Sequence, residues 1–513
     1  MLDADPAASI SESTTTSSAP APARLLATNV IWNLAGEAAP GISALVAVPF
    51  ILHRLGAERF GIFTFAWAIA GSAGIFDLGL GRALTKLIAD RIATGRGSEI
   101  AALFWTAMGL LSMVGIVLGA ALLAVAPLIA RKVLHLDGVV AMEAAATFRV
   151  LAISVPFIMI FTAVRGALAA FQRFALLNWI RIPMGALVFL APLPILYMRP
   201  SLVAAVWMIL AVRVVGCVAL VVAGLRAIPS LRKLQMKRGF VGQLLSFGGW
   251  VMVSNAASPI LAYADRFIIG SILTMAAVAW YAVPMEVVSR LAIIPAAVTA
   301  VLFPAMAEDL FQRPDRARRL LIRGVQTTFA GVFPASLILI AFAREGLTAW
   351  LGAPFAAHDA IILQSLGLGT MVLSVCWMPF YLIQAAHRPD ITAKIHAAEI
   401  PLFLAVMVFA THTWGLTGAA IARGTMFAID GIAMLIAARI LMPQIDAAFR
   451  NTCMMIAGGV CACVAARWLP DGLAIKGVLI VCLATLCALF GWRFAISNDE
   501  RLRLRGLMPG LSG

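Results

Sequence analysis

Six arginines and six acids fall inside apolar stretches of this sequence: Arg82, Arg165, Arg213, Arg266, Arg290 and Arg423, against Glu37, Asp77, Asp265, Glu286, Glu399 and Asp430. An ionised side chain at the centre of a bilayer costs about 2.5–3.5 kcal/mol even on a lenient insertion scale, so such residues face a water-filled cavity or one another. Their spacing sorts them. Glu286 and Arg290 are four apart, the favourable order for an ion pair along one helix. Arg423 and Asp430 are seven apart and also share a face, whereas Asp77 and Arg82, five apart, do not, and each needs a partner on another helix. Asp265 and Arg266 are adjacent and point different ways near a helix end, where a snorkelling Arg266 is an alternative to a cavity role. The same alternative holds for Arg82 and Lys86. Glu37 lies halfway down its run inside GEAAPG, where Pro40 can break the backbone ladder, and Arg213 lies halfway down another run. Glu37, Arg213 and Arg290 are the leading candidates for the lining of a central cavity.

Covalent catalysis has no footing. There is no G-x-S-x-G, no H-E-x-x-H and no Walker A sequence, and Gly79-Leu80-Gly81 lacks the third glycine of a dinucleotide fingerprint. The 6 histidines (53, 135, 358, 387, 396 and 412) fall at predicted helix ends or loops with no pair at ligand spacing, so no metal site is expected. The 7 cysteines all lie in apolar runs, and Cys461-Ala462-Cys463 has no partner pair at zinc spacing, so they read as small buried hydrophobes. No cofactor is expected. Without an ATP site, any transport must draw on a gradient or on the downhill flow of the substrate.

The elements that position these charges are membrane helices. Of the 513 residues, 62% are hydrophobic and 12% charged, about half the charge of a soluble domain. Only helices and closed barrels satisfy their backbone in lipid, and the alternating ten-residue strands of a barrel are absent. Apolar runs fall at about 25–52, 61–85, 99–126, 146–170, 174–198 and 201–225, then at 241–273, 276–306, 324–350, 360–385, 391–412 and 414–440, with a last pair at 452–469 and 473–494. The expected fold is therefore an all-α polytopic membrane protein of about fourteen transmembrane helices: two pseudo-repeated six-helix lobes and two further helices. The domain reading is a disordered tail (1–23), an N-lobe (24–225), a basic linker (226–240), a C-lobe (241–440), the additional helices (441–496) and a basic tail (497–513).

Charge supports this layout. With the amino terminus in the cytoplasm, about 24 basic residues fall on the cytoplasmic side and about 9 on the other, as the positive-inside rule requires. Both termini are then cytoplasmic. The net charge of +15 follows from these loops, and nucleic acid is not an expected partner. A weak internal repeat agrees: RLLATNVIWNLAGEAAPG and QLLSFGGWVMVSNAASPI align Pro40 over Pro259. Internal repeats with a site between them are the usual construction of secondary transporters.

LGAERFGIFTFAWAIAGSAGIFDLGLGRALTKLIAD (55–90) resembles the second-helix signature of the Wzx-type polysaccharide-biosynthesis flippases, which share a superfamily with multidrug-and-toxin extruders and lipid II flippases. ADRFIIGSILTMAAVAWYAV (264–283) and VLFPAMAEDL (301–310) resemble that family's seventh-to-eighth junction and eighth-helix end. The resemblance spans 25–440. It implies a V-shaped bundle in the bacterial inner membrane that moves an undecaprenyl-pyrophosphate-linked oligosaccharide from the cytoplasmic to the periplasmic leaflet, by alternating access coupled to an ion gradient. The partners implied are that lipid-linked oligosaccharide, membrane lipid, and the polysaccharide polymerase and chain-length machinery. Arg213, Arg290, Arg82 and Arg266 are then the candidate pyrophosphate ligands, because arginine meets phosphate oxygens two at a time. Glu37, Asp77 and Glu286 are the candidates for ion coupling or gating, since a desolvated carboxyl titrates towards neutrality. A cation-coupled drug antiporter of the same superfamily is the main rival, and the six arginines weigh against it. A polymerase or ligase would need a large outer loop, and every predicted outer loop is about 20 residues or shorter.

Overall fold

The computed structural model describes residues 23–72, 77, 79–246, 257–443, 446–468 and 473–490. The tail readings at 1–22 and 497–513, and part of the second repeat segment, lie outside these residues. Every regular element described is helical. In chain order they are α1 (Ala23–Ser72), α2 (Leu80–Ala93), α3 (Ile100–Leu128), α4 (Gly138–Ala170), α5 (Phe174–Leu190), α6 (Pro192–Met198), α7 (Leu202–Ala227), α8 (Ala257–Ile272), α9 (Met275–Ser289), α10 (Ile293–Gln312), α11 (Pro314–Ala341), α12 (Ala343–Leu351), α13 (Ala353–Val375), α14 (Trp377–Ala385), α15 (Pro389–Leu441), α16 (Asp446–Arg467) and α17 (Leu473–Phe490). Among the described residues, 10 stretches are long and apolar enough to cross a membrane.

The two longest helices each contain a sharp turn at a glycine. Gly56 in α1 has φ 76° and ψ 165°, and Gly415 in α15 has φ 60° and ψ −143°. A side chain resists that backbone region and glycine does not, so the turn forms where the sequence supplies the glycine. Residues on either side of each turn then meet: Val48 and Thr64 line one cavity, and His396 reaches Asp430. Each long helix thus carries two crossings, which accounts for two more spans than the apolar stretches number.

Packing divides into three apolar clusters. One gathers α2, α3, α4 and α7 around Leu84, Phe104, Met159, Leu168 and Leu220. A second gathers α10, α11 and α13 to α17 around Met306, Val332, Leu337, Met371 and Met434. The third joins the two halves of the chain at the end of the bundle marked by Gly56, bringing Ile51, Phe60, Phe65 and Phe148 against Val278, Tyr281, Leu366 and Phe403. There the Phe65 and Phe267 rings meet edge to face at 4.8 Å, and Trp350 Nε1 donates to the Leu45 carbonyl at 2.8 Å. Outward faces stay apolar and uncovered, as Met113, Ile116 and Val117 of α3 illustrate. Such faces suit lipid, where burying them against protein brings no hydrophobic gain.

The basic linker is docked, not free-standing. Trp105 Nε1 donates to the Leu231 carbonyl at 2.8 Å, and the Lys237 amide donates to Thr106 Oγ1 at 3.2 Å. Both acceptors and donors tie the linker to α3, so its charges are held against the first half of the chain.

Candidate functional site

The turn at FDLGLG explains itself first. Asp77 Oδ1 accepts the Gly79 N–H at 2.8 Å, and Gly79 has φ 66°. A Cβ on Gly81 would stand 2.6 Å from the Thr162 methyl, so glycine there lets α2 approach α4. Asp77 then faces Arg165 on α4 and Arg82 on its own chain segment, and Arg165 in turn feels Arg181 of α5. Asp77 does find a partner on another helix, Arg165, and Arg82 shares that acid with it. Arg82 and Arg165 are both exposed in the interior-facing gap of the bundle or at its rim.

Arg213 lies deeper. Its Nη1 donates to Ser154 Oγ at 2.9 Å, and its guanidinium lies 6.0 Å from the Trp67 ring. The hydroxyl satisfies one of five N–H donors and carries no charge, so this guanidinium retains donor capacity. Arg290 pairs with Glu286, the i,i+4 pair expected from spacing. It also crosses between the halves of the chain: a Cβ on Gly41 of α1 would stand 3.1 Å from its side chain. Arg181 lies against α1 in the same way, its Nη2 2.5 Å from where a Gly36 Cβ would be. Gly36 and Gly41 flank Glu37, whose own side chain is outside the described residues.

Arg266 does not snorkel. It is 9% exposed, lies 5.7 Å from the Tyr263 ring, and its Nε has no hydrogen-bond partner. With Glu286, Trp67, Phe63 and Phe189 it lines a cavity of about 50 Å³ between the two halves. A water occupies about 30 Å³, so this space admits water and small ions, and a larger ligand needs the halves to part.

Helix rise orders these cations. At about 1.5 Å per residue, Arg266 lies about 9 Å from the Gly56 end, Arg213 about 16 Å and Arg290 about 24 Å, while Arg181 and Arg165 lie about 8–10 Å from the opposite end. The arrangement is a series of guanidinium groups running between the ends of the bundle. Arg165 is among the interior charges read from the sequence but not a site candidate, and Arg181, in the run 174–198, is counted only with the basic residues of the cytoplasmic side. The signal for both was available only in three dimensions.

Two interior acids in the second half are engaged otherwise than their spacing implied. Arg423 does not serve Asp430. It lies 3.7 Å from Asp265 Oδ2, between the Phe403 and Phe427 rings at 4.9 and 4.4 Å. Tyr281 donates its hydroxyl to the same carboxylate at 2.7 Å, and Asp265 is fully buried. Asp430 instead meets His396 at 3.6 Å, with Glu399 beside them. Sequence spacing placed Arg423 and Asp430 on one face, and the seven-residue offset still leaves each closer to a different neighbouring helix.

These features define a class: a multi-span helical membrane protein that carries charged side chains in its interior. The fold matches that of solved transporters. An inward-facing multidrug resistance MATE family transporter of the MOP superfamily superposes with a TM-score of 0.67 at 13% identity, covering 81% of this chain and 95% of its own. The lipid II flippase MurJ in an inward closed conformation gives 0.66 at 12% identity, covering 91% and 100%. By sequence, the family model described as polysaccharide biosynthesis protein matches residues 26–309. A Shigella flexneri protein named "Putative O-antigen transporter" is 29% identical over 404 residues, which is 79% of this chain and 95% of the relative. The chain belongs to the polysaccharide biosynthesis protein family. Its relatives are transporters and not enzymes.

Proposed function

We propose that this protein carries an undecaprenyl-pyrophosphate-linked oligosaccharide from the cytoplasmic to the periplasmic leaflet of the bacterial inner membrane, with both termini cytoplasmic. The observation that carries the reading is the set of interior arginines: Arg266 and Arg290 of the second half lie against the first half, and Arg165, Arg181 and Arg213 stand on the first half itself. A pyrophosphate leaving water needs charge-assisted donors along its way, and arginines at several depths of the bundle can supply them. The segments 24–225 and 241–440 act as the two lobes, which part in turn at either end. Asp77, Glu37 and Glu286 are the groups through which a coupling ion would act: Glu286 already holds Arg290, so protonating it would release that guanidinium to the substrate.

The test is deletion of the gene in its host, followed by mapping of the leaflet on which the lipid-linked glycan accumulates. Arg213→Ala and Arg290→Ala are expressed alongside, with membrane abundance measured. A hydrogen bond to a charged group contributes about 1.5–3 kcal/mol, so each variant is expected to transport at least tenfold more slowly. Trapping of the glycan on the cytoplasmic face, unrescued by either variant at normal abundance, supports the reading. Unchanged surface polysaccharide together with increased sensitivity to cationic drugs overturns it in favour of an antiporter.

A further inference from the structure

A second charged site lies in the second half of the chain, away from the interface. His396 and Glu399 are three residues apart and share a face of the first half of α15. Asp430 comes from the returning half. Glu399 lies sixteen residues before the turn at Gly415 and Asp430 fifteen after it, so the turn brings them to one depth. One ring nitrogen of His396 and one carboxylate oxygen from each acid all lie within 4.8 Å of one another.

The group is incomplete as it stands. Glu399 is 6% exposed and its Oε1 has no hydrogen-bond partner, and Asp430 Oδ1 has none either. A buried and a half-buried carboxylate facing one imidazole are short of positive charge, and burying unpaired charge is costly. No lysine or arginine lines the cavity of about 230 Å³ that opens beside His396 and Asp430. Its walls are Trp377, Phe380 and Tyr381 of α14 and the Cys376 thiol. Phe380 stacks on the His396 ring at 6.4 Å, which fixes the ring's orientation.

We infer that His396, Glu399 and Asp430 form a binding site for a divalent transition-metal ion of the zinc class, which ties the two halves of α15 together. The 3.6 Å between His396 Nε2 and Asp430 Oδ1 suits a cation about 2.0–2.2 Å from each, with Glu399 near enough to supply the third donor. The donor set selects within the cations. Mg²⁺ and Ca²⁺ take six or more oxygen ligands, whereas an imidazole with two carboxylates suits zinc and its neighbours. The cavity has room for several waters at about 30 Å³ each, enough to complete a coordination shell, and Cys376 offers a thiol on the same wall. The site shares no residue with the arginine series, so it stands or fails independently of the transport reading.

The experiment uses the purified full-length chain in detergent, freed of metal, and titrated with Zn²⁺ against a chromophoric chelator. One equivalent bound at micromolar or tighter Kd is expected, undisturbed by millimolar Na⁺ or Mg²⁺. Glu399→Gln, Asp430→Asn and His396→Ala should each weaken binding about tenfold or more, while His387→Ala leaves it unchanged. Zn²⁺ should also raise the unfolding temperature of the parent chain and not of Glu399→Gln, a near-isosteric change that keeps the test valid if His396→Ala does not fold. Absence of stoichiometric binding, or equal binding by Glu399→Gln and the parent, overturns the assignment and leaves a cluster that takes up protons only.

Discussion

Withdrawing the charge of Arg423 tests how the second half of the chain holds its shape behind the cavity. Asp265 is fully buried, and its Oδ2 lies 3.7 Å from Arg423 Nε while accepting the Tyr281 hydroxyl at 2.7 Å. Its Oδ1 accepts the Arg266 N–H at 2.8 Å. At that separation and an effective dielectric of about 20, the attraction is about 4.5 kcal/mol, within the range of about 3–5 kcal/mol lost when one partner of a buried pair is removed. Arg423→Met keeps the volume between Phe403 and Phe427 and removes only the charge, so we expect it to cost about 3–5 kcal/mol. Asp265→Asn with Arg423→Met removes both charges and keeps the Tyr281 contact. That double variant should recover most of the loss, because replacing a whole buried pair is often neutral or stabilising. The assay is reversible unfolding in mixed micelles as the fraction of dodecyl sulfate rises, followed by tryptophan fluorescence across the four members of the cycle. A cost below about 1 kcal/mol for Arg423→Met, or a coupling energy near zero, would show that the pair contributes nothing and refute the reasoning.

Gly61 approaches the Met275 backbone so closely that a Cβ there would overlap its carbonyl, so Gly61→Val should force the halves apart at that end. Disulfide formation between Thr64→Cys and Val283→Cys, which line one cavity, should then fall several-fold, and an unchanged yield would count against closure at this end. Arg165→Ala and Arg181→Ala should each slow glycan transport about tenfold at normal membrane abundance, with Arg199→Ala, at the opposite end of α6, as the unaffected comparison; equal losses in all three would point to general surface charge. Burial pushes the Glu345 carboxyl up, but its hydrogen bond to the Lys476 ammonium, a backbone hydrogen bond and the charges of Lys476 and Arg344 together outweigh that and hold it below the ordinary value. A depressed carboxyl stabilises above its unfolded pKa, about 4.3, and loses that contribution as pH falls through the folded value. Accordingly α17 should detach from α12 below about pH 4 in the parent chain, and Glu345→Gln should abolish that pH dependence, as measured by limited proteolysis after Arg467.

Helix content and count were legible because hydropathy acts locally: each apolar run long enough to cross lipid is a helix, since no other backbone is satisfied there. The breaks at these turns were legible as gaps between runs, but the glycines that make them, Gly56 between 25–52 and 61–85 and Gly415 just inside 414–440, were not singled out. Runs broken by proline were less so. Phe174 to Met198 reads as one apolar stretch, and the structure divides it where Pro192 removes an amide, giving α5 and α6. The linker's contact with α3 was not legible at all, since Trp105 and Leu231 are far apart in sequence and nothing in either segment names the other.

Partnership between charges followed the same divide. Glu286 and Arg290 could be paired from spacing because both lie on one helix. Asp265 with Arg423, and His396 with Asp430, could not, because each pair depends on how α8, α9 and the two halves of α15 turn about their axes. The outcome separates the halves of the chain electrically. In the second half, interior charge is largely met by opposite charge: Asp265 by Arg423, Glu286 by Arg290, Asp430 by His396. In the first half, Asp77 faces both Arg165 and Arg82, and Arg213 is met by the uncharged Ser154 hydroxyl. A route for a cationic drug would need the reverse excess. On the proposed function, an excess of arginine over acid in the first half would favour an anionic head group there, while in the second half the pairs Asp265–Arg423 and Glu286–Arg290 hold each other's charge as the helices that carry them move.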